Sequence, residues 1–338
     1  MTVPVDAPLP ERSDARPGAT PDDVFSTREP VVLRGYAERW PAVKAGREGG
    51  EAARDYLMGF HEGATVAASF GPPEAKGRLF YNESWTAPNA ELVRIGLAEL
   101  LDRILEEGGK PEPPLVYLAS TTIDVLLPGF HDRNDPGLGG RDALGSIWIG
   151  GPSRIPAHQD LPDNLAVVLA GKRRFTLFPP DQLPNLYIGP LDVTPAGQPV
   201  TLADLDEPDF EAFPKLKDAL AAARFAELEP GDAVFIPSMW WHHVQATAPF
   251  NALANYWWRE TPVWMGPPQN ALHHAILAIR NLPPEDRAVW KQVFDHYVFS
   301  DPGEAAAHIP PQARGVLGPM TDANARRIRA YLLNRLNR

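Results

Sequence analysis

Ile155-Pro156-Ala157-His158-Gln159-Asp160, answered far downstream by Gly231-Asp232-Ala233-Val234-Phe235-Ile236-Pro237 and then Trp241-His242-His243-Val244, are the stretches that decide the fold. Side chains two apart on a strand leave the same face, so His158 and Asp160 converge while Gln159 points away. Glu229-Pro230-Gly231-Asp232 is a turn that launches the strand 233–236, and Pro237 ends it. A histidine therefore stands at the start of the next strand. An antiparallel neighbour brings His242 opposite His158, and only one of His242 and His243 faces inward.

An isolated histidine is ordinarily a core or surface residue, but strand context at both ends makes this pair metal ligands. Two histidines and one carboxylate form the facial set that suits Fe(II) and leaves the opposite coordination positions open. The ligands are too far apart along the chain for a zinc finger or a helical H-E-x-x-H site. With no cysteine present, the usual four-ligand structural zinc is excluded.

Outward from these motifs, residues 115–118, 146–150, 164–170, 174–178, 233–236, 242–246 and 251–258 are short apolar or alternating runs bounded by glycine and proline. Many short strands with turn signals predict a mainly β fold with flanking helices, a jelly roll in the 115–260 region whose interior accepts a metal. The 38 prolines agree with short strands and long loops. Between the two motifs, 179–229 is a proline-rich insertion with a predicted helix over 214–224, a place where a lid or plain filler fits equally.

Upstream, residues 1–19 read as a loose arm, and Thr20-Pro21-Asp22-Asp23 as a helix start. A strand at 30–35, helices at 49–60 and 97–107, and strand-like Leu79-Phe80-Tyr81 make 20–114 an α/β layer. Downstream, 261–338 reads as helical, over 270–280, 285–297 and 322–336. The last helix carries an apolar stripe of Ile328, Leu332 and Leu336 that packs on the barrel or pairs with a second copy as a homodimer.

The net charge of −11 and the lack of any basic stripe disfavour nucleic acid as a partner. No apolar run approaches the ~18 residues a membrane span needs, and the N-terminus lacks a signal peptide's apolar segment, so the simplest address is cytoplasmic.

The segments Ile155 to Asn164, Ala170-Gly171-Lys172-Arg173 through Gln182, Gly231 to Val244, and Asn255-Tyr256-Trp257-Trp258 resemble the JmjC-type, cupin-like (cupin 8) Fe(II)- and 2-oxoglutarate-dependent hydroxylases, the group that includes factor inhibiting HIF. The resemblance covers roughly residues 20 to 260. It implies a double-stranded β-helix core, iron held by His158, Asp160 and His242, and 2-oxoglutarate as cosubstrate. The basic residue two positions after Gly171 would take the distal carboxylate, and here it is Arg173 where lysine is common. Lys172 is the alternative, though strand alternation points it elsewhere. Tyr117, Asn164 and Asn255 match polar positions around the cosubstrate, whereas Ile155 stands where a threonine is frequent. His243 would sit beside the ligands, hydrogen-bonding or packing, and one or two of the clustered tryptophans would line the substrate channel. The implied activity is hydroxylation of a C–H bond, of a protein or peptide side chain by similarity to the asparaginyl-hydroxylase branch. A small-molecule hydroxylase and a binding protein without turnover are the alternatives.

Overall fold

A computed structural model describes residues 7–195 and 197–337 of the chain. These fall into two compact units, 1–259 and 260–338. The first unit begins with β1 (Glu11–Arg12), β2 (Val31–Leu33), α1 (Pro41–Glu48), α2 (Gly50–Met58), β3 (Thr65–Gly71), β4 (Glu91–Gly96), α3 (Leu97–Gly108), β5 (Leu115–Thr122) and the single turn α4 (Ile123–Leu126). It continues through β6 (Leu144–Gly150), β7 (Ser153–Gln159), β8 (Asp163–Ala170), β9 (Arg173–Phe178), α5 (Leu216–Ala222), β10 (Arg224–Leu228), β11 (Ala233–Ile236), β12 (Trp241–Ala246) and β13 (Asn251–Trp258).

One sheet has nine strands in the order β1-β2-β11-β8-β13-β6-β5-β3-β4, and the other has four in the order β10-β9-β12-β7. Strands β6 to β13 are thus shared between two four-stranded blocks, β11-β8-β13-β6 and β10-β9-β12-β7. That exchange is the double-stranded β-helix, or jelly roll, that the sequence predicts.

Strand β8 shows what holds the layers together. Ala166 and Val168 pack inward with Phe175, Val234 and Val244 of both sheets, while Leu165, Val167 and Leu169 pack outward with Val43, Leu101 and Ile104 of the helices. Both faces are covered, so the strand reads as a continuous apolar run. Each such Val or Leu side chain contributes about 1.5–3 kcal/mol relative to an exposed one. On the outer face of the small sheet, α5 places Leu216, Ala219 and Leu220 in a cluster with Phe178 and Trp241.

Gly171 sets the phase of β9. Its φ of +75° suits glycine, and a Cβ there would collide with Asn251 Oδ1 and the Phe250 carbonyl. The same Asn251 oxygen accepts the Lys172 N–H at 3.2 Å. The turn so fixed makes Arg173 the first residue of β9 and sends its side chain into the barrel, where it is 2% exposed.

Several expectations are corrected. Residues 8–19 are not loose: β1 pairs in parallel with β2, Pro8 bridges Phe225, and Ala15 is buried; residues 1–6 lie outside the described residues. Thr20-Pro21-Asp22-Asp23 starts turns rather than a helix, because Val24 and Phe25 must reach the core from one short segment. Leu79-Phe80-Tyr81 is not a strand: Tyr81 makes a single bridge to Pro88, and the preceding Arg78 one to Arg154. Only residues 216–222 of the predicted 214–224 helix are helical, and Arg224 opens β10, paired with Leu177 of β9.

The second unit contains α6 (Pro268–Ile279), α7 (Pro284–Phe294) and α8 (Asp322–Leu336), close to the predicted helices. Leu332 and Leu336 are exposed within it. Among the described residues no helix is long and apolar enough to cross a membrane.

Candidate active site

His158 and His242 are directly opposed residues of the antiparallel pair β7 and β12. Between them and the next pair, Ile155 and Val244, β7 has one residue more than β12, a bulge that contains Pro156. Proline cannot donate to the ladder, and a bulge re-aims the neighbouring side chain, here His158. Asp160 lies just past the end of β7 rather than within it, a small correction to the expected strand pair. Its position is held from the other motif: Met239 N–H donates to the Asp160 carbonyl at 2.9 Å, and Ser238 Oγ to the Leu161 carbonyl at 2.6 Å. The two segments that carry the triad are therefore clasped to each other.

Ligand atoms of His158, Asp160 and His242 lie within 4.8 Å of one another. The imidazole rings are 4.2 Å apart, and His242 Nε2 is 3.6 Å from an Asp160 oxygen. His158 Nδ1 meets the Pro156 carbonyl at 2.9 Å and His242 Nδ1 the Trp240 carbonyl at 3.1 Å. A carbonyl only accepts, so each Nδ1 carries the proton and each Nε2 presents a lone pair, the tautomer a metal requires. Burial, with His158 alongside, lowers His242 from its usual 6.5 to about 4 against the opposing pull of Asp160.

His243 points away from this group. It is buried beside Arg78, Arg154, Asp204 and Asp206, and neither ring nitrogen has a hydrogen-bond partner, so it packs rather than bonds. Burial lowers its pKa from 6.5 to about 4 as well. Both histidines have folded-state pKa values below those of the unfolded chain. Stability is therefore full above pH 6.5 and lost as pH falls from there toward 4, because only the unfolded state takes up the protons. Metal-free protein should show this fall in thermal melts across that window, and His243→Leu, with no ring to titrate, should show a shallower one.

The triad opens into a cavity of about 320 Å³ lined by Tyr117, Asn164, Arg173 and Asn255 together with Trp148, Trp257 and apolar side chains. Every residue that the sequence reading placed around a cosubstrate is in this one wall. Arg173 faces the Tyr117 phenol, and its Nε and Nη2 are buried without a hydrogen-bond partner. Burial pulls the guanidinium below the ordinary arginine range and pushes the Tyr117 phenol up to about 12. Lys172 is exposed and paired with Glu229 at 2.9 Å, so it is not the cation of the pocket. Asn255 donates to Asn164 Oδ1 at 2.7 Å, leaving its own Oδ1 without a partner. Pro195 and Gly197 of the insertion also line the cavity, and Asp204 and Asp206 anchor that insertion to Arg78 and Arg154 at 3.3 and 2.9 Å. Asp204 and Asp206 are legible in the sequence as acids of the insertion, but ion pairs between distant segments leave no periodic signal that would name their partners.

The family model for the cupin-like domain matches residues 17–263. The chain belongs to this cupin-like family, in its JmjC-type branch. It is similar to the tRNA wybutosine-synthesizing protein 5 of Gallus gallus, 34% identical over 31% of this chain and 30% of the relative. It is 25% identical to the Jumonji C domain-containing protein 5 of Drosophila melanogaster over 69% of this chain and 55% of the relative. The lysine-specific demethylase JMJ31 of Arabidopsis thaliana is 30% identical over 43% of this chain and 25% of the relative. The chain thus spans between a quarter and just over half of these relatives. JmjC-type cupin-like proteins are typically Fe(II)- and 2-oxoglutarate-dependent oxygenases.

Proposed function

We propose that this cupin-like protein is an Fe(II)- and 2-oxoglutarate-dependent oxygenase that hydroxylates a C–H bond of a protein side chain. The observation that carries the reading is Arg173, a guanidinium buried in the triad's own cavity with two nitrogens unpartnered. A buried charge without a counter-charge costs several kcal/mol, so an anionic ligand is the partner that its surroundings call for. Arginine presents a fork that fits a carboxylate with two parallel hydrogen bonds.

His158, Asp160 and His242 would hold Fe(II), two neutral nitrogens and one carboxylate on one face. Arg173 and Tyr117 would orient the distal carboxylate of 2-oxoglutarate, and the Asn164–Asn255 pair offers a free acceptor beside it. Together the bound metal and cosubstrate supply the oxidising chemistry, in which dioxygen and 2-oxoglutarate give succinate, carbon dioxide and a hydroxylated product. Ile155, Phe175, Val244 and Leu253 keep the pocket dry, which strengthens the charge interactions inside it.

A cavity of about 320 Å³ is at the small end for a ligand pocket, and once it holds the cosubstrate it has room for a group the size of one side chain. That supports a protein substrate presented from outside, as does the likeness to the asparaginyl-hydroxylase branch. The protein should be incubated with Fe(II), 2-oxoglutarate and a peptide library, and the products weighed by mass spectrometry. One added oxygen on a peptide is the expected result, and loss of a methyl group would mark demethylation instead. Succinate formed without any modified peptide would move the substrate to small molecules. Neither succinate nor a visible charge-transfer band on anaerobic addition of 2-oxoglutarate would remove the oxygenase reading.

A further inference from the structure

We infer that the open edge of β4 is a docking strand for the substrate polypeptide, which adds to the nine-stranded sheet as an extended segment and sends a neighbouring residue into the cavity. The inference rests on the reading of this cavity as an oxygenase site with a protein substrate. β4 ends that sheet and is paired, among the described residues, with β3 alone. The outer side of its backbone therefore presents N–H and C=O groups that another extended chain can pair in succession.

A single row of side chains ties this edge to the cavity. Tyr117 of β5 is opposite Ser69 of β3, and Ser69 is opposite Leu92 of β4. All three line the cavity, and exposure rises along the row from 2% at Tyr117 to 70% at Leu92. The wall that begins beside Arg173 thus runs unbroken to the rim, and Leu92 is where it meets solvent. Past Leu92 the same face of the sheet continues with Arg94 of β4 and with Ala67 and Thr65 of β3, all exposed. Arg94 donates to Thr65 Oγ1 at 3.4 Å, which sets both on one face. On the opposite face Val66 and Ala68 are buried in the helix-covered core, with Ile95 packed against it. The small side chains of β3 leave an added strand room for its own. Such a strand would pass about 5 Å outside Leu92, along the rim that a presented residue has to cross. A second copy paired at this edge would instead lay its own β4 across that rim, so a substrate segment is the occupant that the continuity with the cavity favours.

The test uses the whole chain with a random-sequence peptide library, and it needs no variant. With Fe(II) and 2-oxoglutarate present, the oxygen added to the library is counted by mass spectrometry. The same library made with an N-methylated backbone keeps its side chains but loses the donors of a strand, and it should take up at least ~10-fold less oxygen. Equal oxidation of the two libraries overturns the inference and leaves the oxygenase reading standing. Amide hydrogen exchange followed by NMR then locates the contact. In protein loaded with 2-oxoglutarate and Zn(II), which binds without turning over, the unmethylated library is added to about 90% occupancy. Exchange should slow about tenfold at alternate residues of 91–96, those whose N–H points away from β3. Unchanged exchange along β4 counts equally against the proposal. So does protection already present without peptide and accompanied by a dimer in sedimentation, which would give the edge to a second copy. Succinate formed while no peptide is oxidised removes the docking strand and the protein substrate but keeps the iron site; no succinate at all removes the oxygenase reading and the docking strand with it.

Discussion

Asp160→Asn is expected to lower Fe(II) affinity by at least ~100-fold and to bring succinate formation down to background. The substitution keeps the size and planarity of the side chain, and the Met239 N–H still donates to the backbone carbonyl of residue 160, so the clasp between the two segments survives. What disappears is the only negative charge among the three ligating groups. Groups that merely orient a ligand cost about 10–100-fold when removed, so losing the ligand charge itself should reach at least the upper end of that range. Two neutral imidazoles remain, and they bring less attraction for a divalent cation in a buried setting. Metal titration followed by the charge-transfer band, with succinate measured in parallel, checks both parts. Metal binding at the original strength would mean that the triad is not the metal site.

Arg173→Met should separate stability from function. Its Nε and Nη2 have no partners and its exposure is 2%, so in the ligand-free protein the guanidinium is a buried charge with only a phenol beside it. Replacing such a charge with an apolar chain of similar length is commonly neutral or stabilising by about 1–4 kcal/mol. The ligand-free variant is therefore expected to melt at or above the temperature of the unchanged protein. Its KM for 2-oxoglutarate should rise at least ~100-fold, since a fork of two charge-assisted hydrogen bonds is lost, each of about 1.5–3 kcal/mol. Fe(II) affinity should be untouched. Arg173→Lys, which keeps the charge on a shorter stem, should fall between the two. A variant that melts lower and binds 2-oxoglutarate normally would show Arg173 to be a structural residue.

The parts of this protein that the sequence made legible are those where one local rule decides. Asn251 to Trp258 and Ala233 to Ile236 stand between turn residues and became strands with those bounds. His158 and His242 are aimed by strand register, and Asp160, two residues on, comes to them from just past the end of β7. The family resemblance points to Arg173 and alternation turns Lys172 away from it, and the structure buries the first and exposes the second. Where tertiary packing overrules local pattern, the reading failed. Thr20-Pro21-Asp22-Asp23 has the chemistry of a helix start, yet the following Val24 and Phe25 are taken by the core. Thr65–Gly71 and Glu91–Gly96 went unnoticed because their pairing partners are each other and β5, with mixed exposure and no clean alternation. Trp148 stood out only as one of several tryptophans; its unpartnered nitrogen is visible only in three dimensions.

The bulge at Pro156 makes the ligand set a matter of parity. With one more residue in β7 than in β12 across that step, His158 lands opposite His242. Deleting a single residue there would shift the phase of everything beyond it and exchange the inward and outward faces. Length changes in the exposed turns between β9 and α5, by contrast, fall outside the strand ladders. Those turns can therefore vary in length to suit a partner while Asp204 and Asp206 keep the loop anchored, whereas the strand that carries His158 tolerates substitution but not insertion or loss.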